Sequence, residues 1–386
     1  MGDAPREDQA SRQTDGHPRD LRAAAALAAL EIRAAPGAVV AAALGRGGSF
    51  SFGAGAAGRL FPAGDAPAVH LGTPFDLASL TKPVTALTAA RLARAGLLSW
   101  GERLGDLLPD LAGSASAGVT LELLAAHRAG LEGHGALFGP LLLGEPIDRK
   151  VALRQAANGR RAECVGDAPA EGFPPIYSDL GYLLLGEAIA TRVGDDLDRV
   201  MEREVLAPLG LRLGSARWFR GREGAAFDDE VAPTEIAPWR GGLVRGEVHD
   251  ENAWALAGDA AAGHAGLFGD APSVARLGAG ILDALRGRRD AWLAPADLSI
   301  LLRTRPGGSL LAGFDARSGE APSSGSRFGP RTFGHLGFTG TSVWIDPDQE
   351  LCGVLLTNRV HPTRATDAIK RARPAVYDAL AAAMLG

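Results

Sequence analysis

Ser79 and Lys82 stand three residues apart in the stretch Phe75-Asp76-Leu77-Ala78-Ser79-Leu80-Thr81-Lys82-Pro83, which opens an apolar-periodic segment running to about Leu98. Residues three apart on a helix share a face, so the spacing predicts a serine hydroxyl held against an ammonium. That pairing suits covalent catalysis. A free hydroxyl is a weak nucleophile, and an adjacent amine desolvated enough to lose its proton can act as its base. Pro83 falls in the first turn, where a missing backbone N–H does least harm, and an N–H at the helix start is suited to holding an oxyanion. Ser-x-x-Lys also occurs on solvated helices, where it carries no chemistry. Lysine usage separates the two readings: of 40 Lys and Arg residues only Lys82, Lys150 and Lys370 are lysine, and the residues three before the other two are Ile147 and Asp367. Arginine cannot supply an amine of tunable pKa.

A second cluster, Pro175-Ile176-Tyr177-Ser178-Asp179-Leu180-Gly181-Tyr182, precedes an apolar helix at Leu183 to Ala190. A tyrosine beside a lysine is drawn toward phenolate and could take the serine proton and return it to a leaving group. The structural alternative is Asp179 as a helix N-cap with Tyr177 packed as an ordinary aromatic. A third cluster, Phe333-Gly334-His335-Leu336-Gly337-Phe338-Thr339-Gly340-Thr341-Ser342, sets glycines ahead of a strand. Glycine there often marks close approach of a ligand to the backbone, which would let an N–H such as that of Phe338 face a cleft. Its alternative is a hairpin turn over Gly337 to Gly340, with His335 a strand residue.

The elements that must position these groups follow from periodicity and punctuation. A helix is expected from Asp20 to about Arg33, then a strand-like run Ala38 to Leu44 and a glycine-rich turn into Ser49 to Gly53, together a hairpin with a helix beside it. Leu97 to Leu111, Thr120 to Ala126, Ile147 to Ala157, Gly181 to Arg192 and Asp196 to Leu206 read as helices. Strand character returns at Gly334 to Leu336, Thr341 to Asp346 and Leu351 to Thr357, and a helix over Thr366 to Met384 closes the chain. Strands at both ends with helices between predict an α/β (α+β) sandwich whose antiparallel sheet is built from both termini, with a mostly helical domain inserted. The expected division is a disordered tail at residues 1–18, polar and without periodicity, then one catalytic region at 19–384. Within it a sheet subdomain takes residues 19–78 and 325–386 and a helical subdomain takes 79–324.

Composition narrows the class further. The chain has 386 residues, ample for a real core, and a net charge of −5 that argues against nucleic acid as the main partner. Cys164 and Cys352 are too few for a disulfide framework or metal cage and read as small buried hydrophobes. No apolar run is long enough to span a membrane and no signal-peptide pattern opens the sequence, which as given points to the cytoplasm, with export if the true start differs. His249, His264 and His127 fit no metal motif and read as hydrogen-bonded loop residues. Trp239 and Trp254 could floor a pocket, though tryptophans more often pack. Pocket shape is expected to depend on the loops at about Leu137 to Pro146 and Arg217 to Gly246.

Taken together, Ser79-x-x-Lys82, Tyr177-x-Asp179 and His335-x-Gly337 resemble, in order and spacing, the serine hydrolases that include class C β-lactamases, D-alanyl-D-alanine carboxypeptidases and related esterases. Thr120 to Leu131, Tyr177 to Gly186, Gly263 to Phe268 and Leu355 to Arg359 add to the likeness, which covers roughly residues 20 to 384. It implies a β-lactamase/transpeptidase-like fold and acyl transfer on a small ester, amide or peptide, without a cofactor. By resemblance Ser79 is the nucleophile, Lys82 and Tyr177 share general base and acid work, and Asp179 holds Lys82 or a substrate amide. The N–H groups of Ser79 and Phe338 then form the oxyanion hole. Two departures stand out. Asp179 replaces the family's usual Asn, which favours a protonated Lys82 and shifts the base role toward Tyr177. His335 replaces the lysine of β-lactamases, which weakens a fixed positive charge at neutral pH and favours an esterase or peptidase. A binding protein that has lost turnover, and a true class C β-lactamase, are the competing readings.

Overall fold

The structure is a computed structural model that describes residues 19–288 and 291–386; the tail expectation for residues 1–18 lies outside them. A two-residue strand β1 (Arg19–Asp20) leads into helix α1 (Arg22–Ala26), which continues as a π-type turn over Leu27–Glu31. Asp20 Oδ1 accepts the Arg22 N–H at 2.9 Å, so the chain turns helical only after the expected start. Strands β2 (Gly37–Arg46) and β3 (Ser49–Gly58) form the hairpin, longer than the sequence suggested. From the far end of the chain come β4 (Asp315–Ala316), β5 (Phe333–Leu336), β6 (Ser342–Asp346) and β7 (Leu351–Thr357).

These seven strands make one sheet in the order β1-β3-β2-β7-β6-β5-β4. Its central pair joins the two ends of the sequence: β7 runs antiparallel to β2 from Leu351 opposite Leu44 to Thr357 opposite Ala38. Only β1 pairs in parallel, with β3. Strand β2 reads as unbroken alanine and valine because both faces are covered. Val39, Ala41 and Ala43 join one core, while Ala38, Val40, Ala42 and Leu44 join the other, as a period of two requires.

Four more helices complete the frame: α2 (Thr81–Arg94), α3 (Asp179–Val193), α4 (Ala271–Leu285) and α5 (Ile369–Leu385). Helix α4 packs on β2 and β7 from one side, and α1 and α5 cover the other. Helices α2 and α3 pack together in the mostly helical half. Gly186 of α3 lets the 263–264 segment approach closely, since a Cβ there would stand 2.8 Å from Gly263 Cα. That approach brings the Gly263 carbonyl within 2.7 Å of Thr85 Oγ1 on α2.

The expected helix at Leu97 to Leu111 is not continuous; only Leu104–Leu107 and a 3₁₀ turn at Pro109–Leu111 are helical. Backbone donors there are committed elsewhere: Ser99 N–H to the Glu102 carboxylate at 2.6 Å, Leu104 N–H to Val119 O at 2.9 Å and Gly105 N–H to Ala117 O at 2.8 Å. Both cysteines are buried and free. Among the described residues no helix is long and apolar enough to cross a membrane.

Candidate active site

Ser79 sits in a single 3₁₀ turn, Ala78–Leu80, immediately before α2. Ala78, the residue before it, has φ +49°, a left-handed conformation that costs a residue with a side chain roughly 1–3 kcal/mol. Asp76 holds the turn in place. Its Oδ1 accepts the Ala78 N–H at 2.7 Å and its Oδ2 accepts the His249 N–H at 2.7 Å. Two hydroxyls of the third cluster fasten the same segment, Thr339 Oγ1 to Asp76 O at 2.8 Å and Thr341 Oγ1 to Leu77 O at 3.0 Å. The serine turn is therefore bolted to the β5–β6 connection before any ligand arrives.

Lys82 lies one turn on, with no solvent exposure. Its ammonium has three donors, and each has an acceptor: Ser79 Oγ at 2.9 Å, Asp179 Oδ1 at 2.7 Å and His264 O at 3.1 Å. Burial works against this charge, yet Asp179, then Tyr177, outweigh it and raise the Lys82 pKa above the ordinary lysine value. For Asp179 burial acts upward, but Lys82 and then His134 hold the carboxyl far below the usual carboxylate range. His134 Nδ1 stands 3.7 Å from Asp179 Oδ2, and its pKa is raised chiefly by that carboxylate.

Asp179 is not the helix cap. Ser178 fills that position, accepting the Gly181 N–H at 3.1 Å, and so Asp179 in the first turn is free to point at Lys82. Tyr177 lies beside the pair, with Lys82 Nζ 4.7 Å from its ring centre. The expectation that lysine would draw this phenol toward phenolate is corrected: burial dominates and raises its pKa, with Lys82 only partly opposing it. His127 supports the ring from behind, its centroid 4.8 Å from Tyr177 and 5.0 Å from Tyr182. Its Nδ1 accepts the Ser178 N–H at 3.0 Å. His127 thus has the structural place expected of it.

The third cluster is at once a tight turn and a cleft wall. Gly337 N–H donates to Thr341 O at 2.8 Å and Gly340 N–H to Gly337 O at 3.1 Å, closing the connection from β5 to β6. His335 Nδ1–H donates to Leu336 O at 2.8 Å, which leaves Nε2 as the bare nitrogen. Burial first and Lys82 second push its pKa down to about 3, so this imidazole is neutral across the physiological range. Phe338 is 48% exposed on the cleft, stacked on His249 at 5.6 Å, and its N–H has no hydrogen-bond partner among the described residues.

A cleft of about 660 Å³ joins these parts. Ser79, Tyr177, Asp179, His335, Gly337 and Phe338 all line it, while Lys82 lies buried beneath Ser79. The loops expected to shape it do not supply its wall. Residues 137–146 and 217–246 stay outside the lining, which comes instead from His249 to Glu251, Leu310, Asp315, Arg359, Arg364 and Arg373. Trp239 and Trp254 also pack elsewhere, Trp239 stacking on Phe138 at 5.4 Å. Asp76, His134 and Arg373 went unnoticed in the sequence. Only Asp76 left a signal there, an Asp two residues before a tight turn.

A sheet assembled from both chain ends, a helical layer beside it and a cleft at the β5 edge define the β-lactamase/transpeptidase-like class. Residues 23–377 match the β-lactamase family model, and the chain belongs to that family of serine hydrolases. It is 30% identical over 315 residues to a "Putative D-alanyl-D-alanine carboxypeptidase" of Escherichia coli (strain K12), covering 75% of this chain and 70% of that one. Two solved structures share the fold. EstCE1, "a hydrolase with promiscuous acyltransferase activity", has a TM-score of 0.67 at 22% identity over 94% of this chain and 97% of its own. A class C β-lactamase from Rhodobacter sphaeroides has a TM-score of 0.65 at 21% identity over 95% of this chain and 99% of its own.

Proposed function

We propose that this protein hydrolyses a small ester, or an amide of the D-alanyl-peptide kind, through an acyl-enzyme on Ser79. The observation that carries the reading is the buried Lys82 ammonium, bonded at once to Ser79 Oγ and to Asp179. A cleft used only for binding has no need of a fully buried lysine against a serine hydroxyl, since burying that charge costs several kcal/mol before its partners compensate.

The chemistry follows from where the protons sit. Lys82 donates to Ser79 Oγ and is held charged by Asp179, so we assign the base role to Tyr177, whose burial-raised phenol must give up its proton before acylation. The Tyr177 phenolate takes the Ser79 proton as Oγ bonds to the substrate carbonyl carbon, and the carbonyl π pair moves onto oxygen. The N–H groups of Ser79 and Phe338 receive that oxyanion. On collapse Tyr177 returns its proton to the departing alkoxide or amine, and water, deprotonated in the same way, releases the acid. The neutral His335 offers no cation at its place to a substrate carboxylate. β-Lactams and D-alanyl peptides both carry one, so this supports the ester reading and predicts slow β-lactam hydrolysis, with Arg359, Arg364 and Arg373 the cations on the cleft wall.

The test is intact-protein mass spectrometry after incubation with a fluorophosphonate and, separately, with a penicillin, followed by peptide mapping. One fluorophosphonate adduct on the Ser79 peptide is expected. No adduct from either probe would turn the assignment to a binding protein.

The pH profile gives a second test. The reactive form has lost one proton from a pair whose pKa values are both raised, so acylation by a neutral ester such as 4-nitrophenyl acetate should climb with pH, about tenfold per unit below the controlling pKa. Asp179→Asn removes the carboxylate that raises both groups and should bring the alkaline limb down by about one pH unit or more. A limb that stays in place in Asp179→Asn would remove Asp179 from control of the base.

A further inference from the structure

Arg373 of α5 is 8% exposed, and no carboxylate among the described residues counters its charge. An arginine buried without an acid is costly, so its neighbours matter. One terminal nitrogen donates to two backbone carbonyls, Gly337 O at 2.9 Å and Thr341 O at 3.0 Å. Those carbonyls flank the turn that carries Phe338.

The Gly337 carbonyl and the Phe338 N–H belong to one peptide unit. That unit is trans, since the single cis bond among the described residues is at His361-Pro362, and in a trans peptide the C=O and N–H point in opposite directions. A guanidinium that fixes the carbonyl therefore fixes the N–H opposite to it. Arg373 and Phe338 both line the cleft, and this N–H, with no partner among the described residues, is left as a donor for a ligand there. A positive charge on the carbonyl also polarises the unit and makes its N–H a stronger donor. Neighbouring bonds leave the unit little freedom. Gly340 N–H shares the Gly337 carbonyl at 3.1 Å, Arg359 Nε holds the next carbonyl, Phe338 O, at 2.8 Å, and Thr339 Oγ1 ties the following residue to Asp76.

We propose that Arg373 is the positioning residue of the oxyanion hole, clamping the Gly337–Phe338 peptide through its carbonyl so that its N–H meets the developing oxyanion. The inference rests on the acyl-enzyme reading above. Arg373 touches no reacting atom; it acts through the peptide it holds.

The experiment compares wild type, Arg373→Met and Arg373→Lys on a neutral ester and its thiono analogue, in which sulfur replaces the carbonyl oxygen and accepts hydrogen bonds poorly. Loss of one oxyanion donor costs about 10²–10³ in rate, and a misdirected donor should cost somewhat less. Arg373→Met is expected to lower kcat on the oxo ester by about 30-fold with KM within about threefold, and to shrink the oxo-over-thiono preference by about tenfold. Arg373→Lys, which keeps a cation able to donate to carbonyls, should recover part of both. Thermal melts of each variant accompany the kinetics. An unchanged kcat, or a fall in kcat that leaves the oxo-over-thiono ratio at the wild-type value, overturns the proposal, the second result marking a purely structural arginine. A rise in KM confined to anionic esters also overturns it, by assigning Arg373 to substrate charge. Wild type that forms no adduct at Ser79 would instead defeat the acyl-enzyme reading itself, so the two failures are distinguishable.

Discussion

Lys82→Met is expected to slow acylation of Ser79 by about 10³-fold, within the 10²–10⁴ range of a lost acid–base group, while the protein still folds. Methionine keeps the length and flexibility of the lysine stem and removes the donor to Ser79 Oγ and the charge that the Tyr177 phenolate needs beside it. Removing one member of a buried ion pair usually costs about 3–5 kcal/mol because the other is left charged and dry. Asp179 is spared the full penalty: its side chain keeps 20% exposure and has His134 Nδ1 3.7 Å away, so water and a protonated imidazole can take over the carboxylate. The rate of fluorophosphonate labelling, followed by mass spectrometry beside a thermal melt, separates the two effects. A stable variant that labels within a few-fold of wild type would show that Lys82 is a structural cation and that the serine is activated by another route.

How much of this arrangement the sequence could disclose depends on whether a signal was local. Ser79 and Lys82 are one helical turn apart, and that proximity is guaranteed once α2 forms. Strands β2 and β7 are equally local, because apolar runs, alanine and valine in β2 and leucine-rich in β7, mark them wherever they pair. The strand order was only inferable, since β2 meets β7 across some three hundred residues of chain. Asp179 shows the limit of reading a junction from residue type: Ser178 and Asp179 are both good caps, and the backbone chose the serine, which released the carboxylate for Lys82. The Tyr177 pKa could not be read at all, because the direction depends on burial exceeding the pull of a neighbouring charge. Ala78 gave no warning of its positive φ, a conformation more usual for glycine. The cleft wall from His249 to Glu251 and at Arg359, Arg364 and Arg373 comes from segments with no motif of their own.

Gly337→Ala should cost about 10² in acylation rate, because it strikes the joint between the serine turn and the oxyanion peptide. The position does not need glycine for its φ. It needs glycine for space: an added Cβ would fall inside the contact radius of Thr341 Oγ1 and stand 2.8 Å from Leu77 O. The hydroxyl could swing away, but only by giving up its 3.0 Å bond to that same Leu77 carbonyl. The carbonyl itself cannot yield easily, since it lies in the segment that Asp76 and Ala78 hold in a strained turn. The cheapest relief is to move the β5–β6 connection outward by a fraction of an ångström to one ångström, and displacement on that scale at a reacting centre is worth about 10²-fold. The Phe338 N–H moves with it while Ser79 and Lys82 stay behind, so kcat should fall more than binding. Overpacking of this kind costs about 1–3 kcal/mol of stability, which a thermal melt reads independently. Thr341→Ala in the same chain removes the first obstacle, and the double variant should regain part of the lost stability without regaining the rate, because the clash with Leu77 O remains. Full activity in Gly337→Ala would mean that the turn and the serine segment are not the rigid unit their hydrogen bonds describe, and the oxyanion peptide would then have to be sought elsewhere on the cleft wall.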